Sequence, residues 1–111
     1  MQKFNPGDII EVDFPFEDTS EKKIRPAVVI CDYENSFIAM KITSKHKGRK
    51  WDVEIPKTDF NGLSVNSVIQ IDKIIEIDKK KLCSIIPRGS LNALQLAIIK
   101  ERLQEFIKLK S

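Results

Sequence analysis

The chain has 111 residues, 41% hydrophobic and 32% charged, with 19 lysines and arginines against 16 aspartates and glutamates. That is room for one domain with one small core and no deep substrate chamber, so an active site is expected in a shallow surface groove or in one completed by a second subunit. A single histidine, His46, excludes a ribonuclease built on two histidines, and the two distant cysteines, Cys31 and Cys83, write neither a CxxC redox motif nor a four-ligand zinc site. Both cysteines adjoin apolar residues and are expected to be reduced and buried. The segment Met1–Pro6 lacks the apolar stretch of a secretory signal, and no apolar run approaches the ~20 residues that span a bilayer. A soluble cytoplasmic protein is expected.

After the turn residues Gly7-Asp8, the residues Ile10, Val12 and Phe14 alternate with Glu11 and Asp13, the period of a strand with one buried face, and Pro15 ends it. Residues 16–24 are polar and charged without apolar periodicity and predict a loop of roughly ten residues, a length often found over binding sites. Pro26 then opens Ala27-Val28-Val29-Ile30-Cys31, a continuous apolar run that suits a strand buried on both faces. Turn residues follow from Asp32 to Asn35, and Phe37 to Ile42 forms a third strand, so the three segments are expected to pair as a meander.

From Thr43 to Trp51 the sequence is polar, basic and interrupted by Gly48, which reads as a loop. Val53 and Ile55 alternate with Asp52 and Glu54 in a short strand stopped by Pro56, and Asn61-Gly62 gives a turn. Val68–Ile71 and Ile74–Ile77 predict two further short strands around Asp72-Lys73. Strands at this spacing without intervening helices indicate a small barrel or sandwich. The tail differs: Ser90 is placed as a helix cap, with Leu91, Leu94, Ile98, Leu103, Phe106 and Ile107 near one face and Lys100, Glu101, Gln104 and Lys108 on the other. No repeat or linker interrupts the chain, so residues 1–111 are read as one domain.

The most biased segment runs from Lys41 to Trp51, with five fixed positive charges, no acid and the only tryptophan at its end. Unstructured phosphodiester chains bind where a positive strip follows their backbone and an aromatic ring offers a stacking surface. The alternative is a solvated basic loop that Trp51 anchors to the core. Arg25 stands where the polar loop meets the buried strand, and its planar fork of donors fits two phosphate oxygens, or else pairs with Glu17, Asp18 or Glu21. Thr43 and Ser44 occupy the same kind of place after the third strand, able to bind phosphate oxygens or to cap a turn. Asp72, Glu76 and Asp78 share strand parity, as a magnesium site would require, but Lys73, Lys79, Lys80 and Lys81 lie among them and the acids read as solubility features; no metal or cofactor is expected. His46, flanked by two lysines, is biased toward the neutral form and reads as an RNA contact rather than a base.

The series Gly7-Asp8-Ile9-Ile10-Glu11-Val12-Asp13-Phe14-Pro15-Phe16, Arg25-Pro26-Ala27-Val28-Val29-Ile30 and Ile42-Thr43-Ser44 resembles the MazF/PemK toxins of type II toxin–antitoxin systems. The likeness continues through Gly62-Leu63, Ser67-Val68-Ile69 and Asp72–Lys79 and covers nearly the whole chain. It implies an SH3-like β-barrel of the MazF/CcdB type with one C-terminal α-helix, mainly β and dimeric. The implied activity is metal-independent, sequence-specific cleavage of single-stranded RNA, in which the ribose 2′-hydroxyl attacks the adjacent phosphorus and leaves a 2′,3′-cyclic phosphate and a 5′-hydroxyl. In this resemblance Arg25 and Thr43 are the central catalytic pair and Asp72 takes the third role, while Gln70 stands where some members carry arginine. Phe16, Ser44, Lys45, His46, Lys47, Arg49, Lys50, Trp51 and Gln70 are the expected RNA contacts. A cognate antitoxin is the expected protein partner. DNA would be bound but not cut, because it lacks the 2′-hydroxyl. The rival expectation is a non-enzymatic module on the same barrel that acts by binding a protein or RNA target.

Overall fold

The computed structural model describes residues 3–15, 22–45, 48–83 and 86–110. Strands β1 (Asp8–Pro15), β2 (Lys22–Asp32), β3 (Ser36–Thr43), β4 (Asp52–Ile55), β5 (Ser67–Asp78) and β6 (Gly89–Ser90) form one antiparallel sheet, ordered β4-β5-β3-β2-β1-β6. Helix α1 (Ala93–Lys110) follows. The meander of β1, β2 and β3 is as expected, and β4 stops at Ile55, before Pro56, because proline has no N–H for the ladder.

The sheet carries an apolar layer on each face. Ile9, Val28, Met40, Ile42, Ile69 and Ile71 form one core with Leu91 and Ile99, and Phe4, Ile10, Val12, Ala27, Val29, Phe37, Ala39 and Ile77 form the other. The apolar run of β2 is divided between them, Val28 on one side and Ala27 and Val29 on the other, which is why it shows no polar alternation. The run ends in half-buried Ile30 and exposed Cys31, at a bulge against β3.

Two predicted strands are one. Val68–Ile71 and Ile74–Ile77 lie in the continuous β5, and the expected break at Asp72-Lys73 is a bulge: from Ile42 to Met40 β3 advances two residues, while its partner advances from Ile69 to Ile74. Extra residues on one strand bend it and raise its twist. As a result Ile69 and Ile71 belong to the first core, whereas Ile77, of the same parity, belongs to the second. The loop predicted over 16–24 is shorter at its end, since β2 already begins at Lys22; residues 16–21 lie outside the described residues.

The helix differs in two details. Its cap is Asn92, not Ser90: the Gln95 N–H donates to Asn92 Oδ1 at 2.8 Å and the Asn92 N–H donates to Gln95 Oε1 at 3.1 Å, a reciprocal capping box. Ser90 is instead paired with Asp8 in the sheet. The buried stripe runs through Leu96, Ile99, Leu103 and Phe106, leaving Leu94, Ile98 and Ile107 exposed. Apolar residues lie on more than one side of this helix, so periodicity alone does not select the stripe.

The loop between β4 and β5 is held by fully buried Asn61, whose Oδ1 accepts the N–H groups of Thr58 and Leu63 at 3.0 Å each and whose amide donates to the Pro56 carbonyl at 2.9 Å. Gly62 beside it has φ +69°, and a Cβ there would lie 2.3 Å from the Arg88 carbonyl oxygen, so only glycine fits the turn.

Both cysteines are exposed rather than buried. Cys31 stands past the end of the double-sided core, and Cys83 on the segment beside β1, where its N–H donates to the Glu11 carbonyl at 3.0 Å. Partial burial, then the carboxylates of Asp13 and Glu11, push the Cys83 thiol above its ordinary value. A raised pKa leaves less thiolate at a given pH. Cys83 should therefore react with iodoacetamide at pH 8 more slowly than an unhindered peptide cysteine, and Asp13→Asn should speed it, as read by site-resolved mass spectrometry.

Candidate nucleic-acid interface and active site

Ala27 and Lys41 form the last pair of the β2–β3 ladder, and Arg25 and Thr43 each lie two residues beyond it on their own strands. Thr43 in turn pairs with Val68 on β5, and Val68 with Glu54 on β4. Gln70 pairs with Asp52 one step along. Thr43, Val68 and Glu54 thus form one row across three strands, with Gln70 and Asp52 in the next. Thr43 ends β3, whereas Arg25, expected where the loop meets the strand, lies inside β2 and pairs with Val12 of β1.

The Thr43 hydroxyl accepts the N–H of Lys45 at 3.2 Å, so it closes the turn into the basic loop, and the hydroxyl keeps a hydrogen to donate. Arg25 is half-buried, with the buried, rigid part of β2 directly behind it. Ser44, Lys45 and Lys50 are exposed around this end of the sheet.

Arg49 is held between two acids. Its Nη2 pairs with Asp72 Oδ2, and its Nη1 lies 3.6 Å from Asp52 Oδ1. The turn between them is closed by the backbone: the Asp52 N–H donates to the Arg49 carbonyl at 3.1 Å, and the Arg49 N–H donates to Asp52 Oδ2 at 3.4 Å. The Asp52 side chain is only 5% exposed, against 21% for Asp72 and 30% for Arg49. A carboxylate so buried needs a charged partner, and Arg49 is the one it faces.

Trp51 serves the anchor that the sequence left as one of its two possibilities. Its half-buried ring packs against the first core and meets Phe106 edge-on at 5.3 Å, while the Arg102 guanidinium lies 4.6 Å from the ring centroid. Arg102 also donates through Nη2 to the Lys50 carbonyl at 2.9 Å. The basic loop is therefore tied to α1 at one end and to the sheet at the other.

A family model described as the PemK-like, MazF-like toxin of type II toxin–antitoxin systems matches residues 5–107. The chain belongs to this family. MazF from Deinococcus radiodurans superposes with a TM-score of 0.74 at 21% identity, covering 94% of this chain and 96% of that one. The Mycobacterium tuberculosis toxin MazF-mt6 gives 0.72 at 20% identity, over 91% and 96%. An endoribonuclease in complex with its cognate antitoxin, from a mycobacterial species, gives 0.73 at 14% identity, over 94% of each chain. At these identities the structures establish a shared fold. No curated protein matches the chain by sequence.

Of the residues singled out in this MazF/PemK-like toxin, Thr43 meets Lys45 and pairs with Val68, Gln70 pairs with Asp52, Asp72 meets Arg49, and Trp51 packs against Phe106 of α1. Phe16, His46 and Lys47 lie outside the described residues, as do Glu17, Asp18 and Glu21. Among the described residues no cluster of three or more histidine, cysteine, aspartate or glutamate side chains is placed to hold a metal ion. Two residues escape sequence reasoning. Asp52 looks like an ordinary alternating strand acid, and only its spacing of three from Arg49 hints at the turn. Arg102 carries no signal, because its role depends on how α1 docks.

Trp51→Ala removes the ring that joins loop, helix and core and should lower stability by about 2–3 kcal/mol, seen as a fall of roughly 10 °C in the melting temperature. Arg102→Ala, which removes the facing cation and two hydrogen bonds, to the Lys50 carbonyl and to Glu105, should cost about 1 kcal/mol in the same measurement.

Proposed function

We propose that this toxin is a metal-independent, sequence-specific endoribonuclease that cleaves single-stranded RNA and is restrained by a cognate antitoxin. The observation that carries the reading is membership of a family of endoribonuclease toxins, supported by the neighbouring strands β2 and β3, which carry Arg25 and Thr43 each two residues beyond the Ala27–Lys41 pair. Arg25 would grip two oxygens of the scissile phosphate and stabilise the charge that builds up as the 2′-oxygen bonds to phosphorus. Thr43 would donate to one of those oxygens. Asp72 is the acidic member of the site. The 2′-hydroxyl gives its proton to water as its oxygen bonds to phosphorus, the bond to the 5′-oxygen breaks, and that oxygen takes a proton from water and leaves as a hydroxyl, with a 2′,3′-cyclic phosphate on the other fragment.

Lys45 and Lys50, together with Ser44, His46, Lys47, Arg49 and Phe16, would follow the RNA backbone and bases. Sequence preference would arise in the loops at 15–25 and 43–51. A shallow, open face of this kind suits a linear substrate, and pairing of two copies would lengthen it. An antitoxin segment rich in acids would compete for the same positive surface, in keeping with a relative crystallised with its cognate antitoxin. Action on messenger RNA would require a cytoplasmic protein.

The purified protein should generate new 5′-hydroxyl ends in a mixed-sequence RNA in the presence of EDTA and leave the matching DNA intact. Arg25→Ala and Thr43→Ala should each reduce cleavage by about 10²-fold or more while circular dichroism stays unchanged. Binding of RNA without new ends, a requirement for added magnesium, or full activity in both variants would overturn the reading.

A further inference from the structure

We propose that Asp72 acts as a positioning residue rather than as a proton acceptor: together with the buried Asp52 it holds Arg49 in place as a second phosphate-binding guanidinium beside Arg25. This rests on the ribonuclease reading and assigns the acids of that site.

Both oxygens of Asp72 are committed to the protein's own interior or to Arg49. Oδ2 is engaged by Arg49 Nη2, and Oδ1 is buried from solvent. A general base must come within about 2.6–3.2 Å of the proton that it takes. The same holds for Asp52, whose Oδ1 is buried and whose Oδ2 accepts the Arg49 N–H. Of the three side chains Arg49 is the most exposed, at 30%, against 21% for Asp72 and 5% for Asp52.

Holding that guanidinium has a physical use. Arg49 follows Gly48, which sits at φ +60°, on a loop outside any strand, where an arginine would otherwise sample many rotamers. Two carboxylates at different ends of the fork fix its plane, so that its remaining N–H donors meet a phosphate oxygen without further ordering. Asp52 contributes the rigid end, because its side chain is buried and its backbone closes the turn on Arg49. Asp72 contributes the other from the β5 bulge.

A double-mutant cycle separates the two roles. Cleavage of a mixed-sequence RNA transcript is measured for the wild type, Asp72→Asn, Arg49→Gln and the double variant, each checked by thermal melting, with Asp52→Asn as an independent arm. Arg49→Gln should lower the rate by about 10²-fold, Asp72→Asn and Asp52→Asn by about tenfold each, and the double variant should match Arg49→Gln alone. The pH–rate profile of Asp72→Asn should keep its acid limb. Multiplicative losses in the double variant, or a vanished acid limb, would show that Asp72 works independently of Arg49 and overturn the proposal. Wild-type activity no greater than the buffer blank would instead remove the ribonuclease reading itself.

Discussion

The extra residues that β5 carries between Ile69 and Ile74 decide how this small chain is put together. Without them Ile69, Ile71 and Ile77 would all face one side, and the sheet would have a single apolar surface to cover. With them one strand serves both cores. The bend also lifts Asp72 and Lys73 out of the ladder with β3, at the point where the sheet end meets the basic loop. A bulge costs ladder hydrogen bonds, and here its return is position: an acid is set facing Arg49 from a strand braced on each side.

Ordering the basic loop is the other difficulty. Five positive charges within one short segment repel one another, and each ordered residue gives up about 1–2 kcal/mol of backbone entropy. The structure answers with contacts drawn from elsewhere in the chain. Asp52 and Asp72 neutralise Arg49, Thr43 closes the first turn, and Trp51 lodges between α1 and the core under the Arg102 guanidinium. These contacts use few residues but lie at both ends of the loop.

Much of this organisation is readable from the residues. Alternation at Ile10, Val12 and Phe14, the unbroken run from Ala27 to Ile30, and the stops at Pro15 and Pro56 mark strands by local chemistry that the fold does not override. The order of Arg25-Pro26 and Ile42-Thr43-Ser44 points to the site for a different reason, likeness to a family, which periodicity alone does not supply. What stays hidden is tertiary. Asn92 and Ser90 are both good caps, and only the pairing of Ser90 with Asp8 leaves the helix to Asn92. Leu94 and Ile98 are as apolar as Leu96 and Ile99, and docking against the first core makes the choice between them. The burial of Asp52 is likewise invisible, since along a strand an acid between two apolar residues normally marks the solvent side.

Gln70 has no positive charge to set against Asp72 two residues on. The guanidinium that Asp72 meets comes instead from the loop before β4. A strand arginine is oriented by its own backbone, but a loop arginine is oriented only as well as the loop is. Here that demand falls on Asp52 and on Trp51, two residues beyond Arg49 and packed against Phe106. The C-terminal helix therefore belongs to the site's support as well as to the core. In a chain of 111 residues, with no interior to spare for a separate scaffold, one docking surface has to do both.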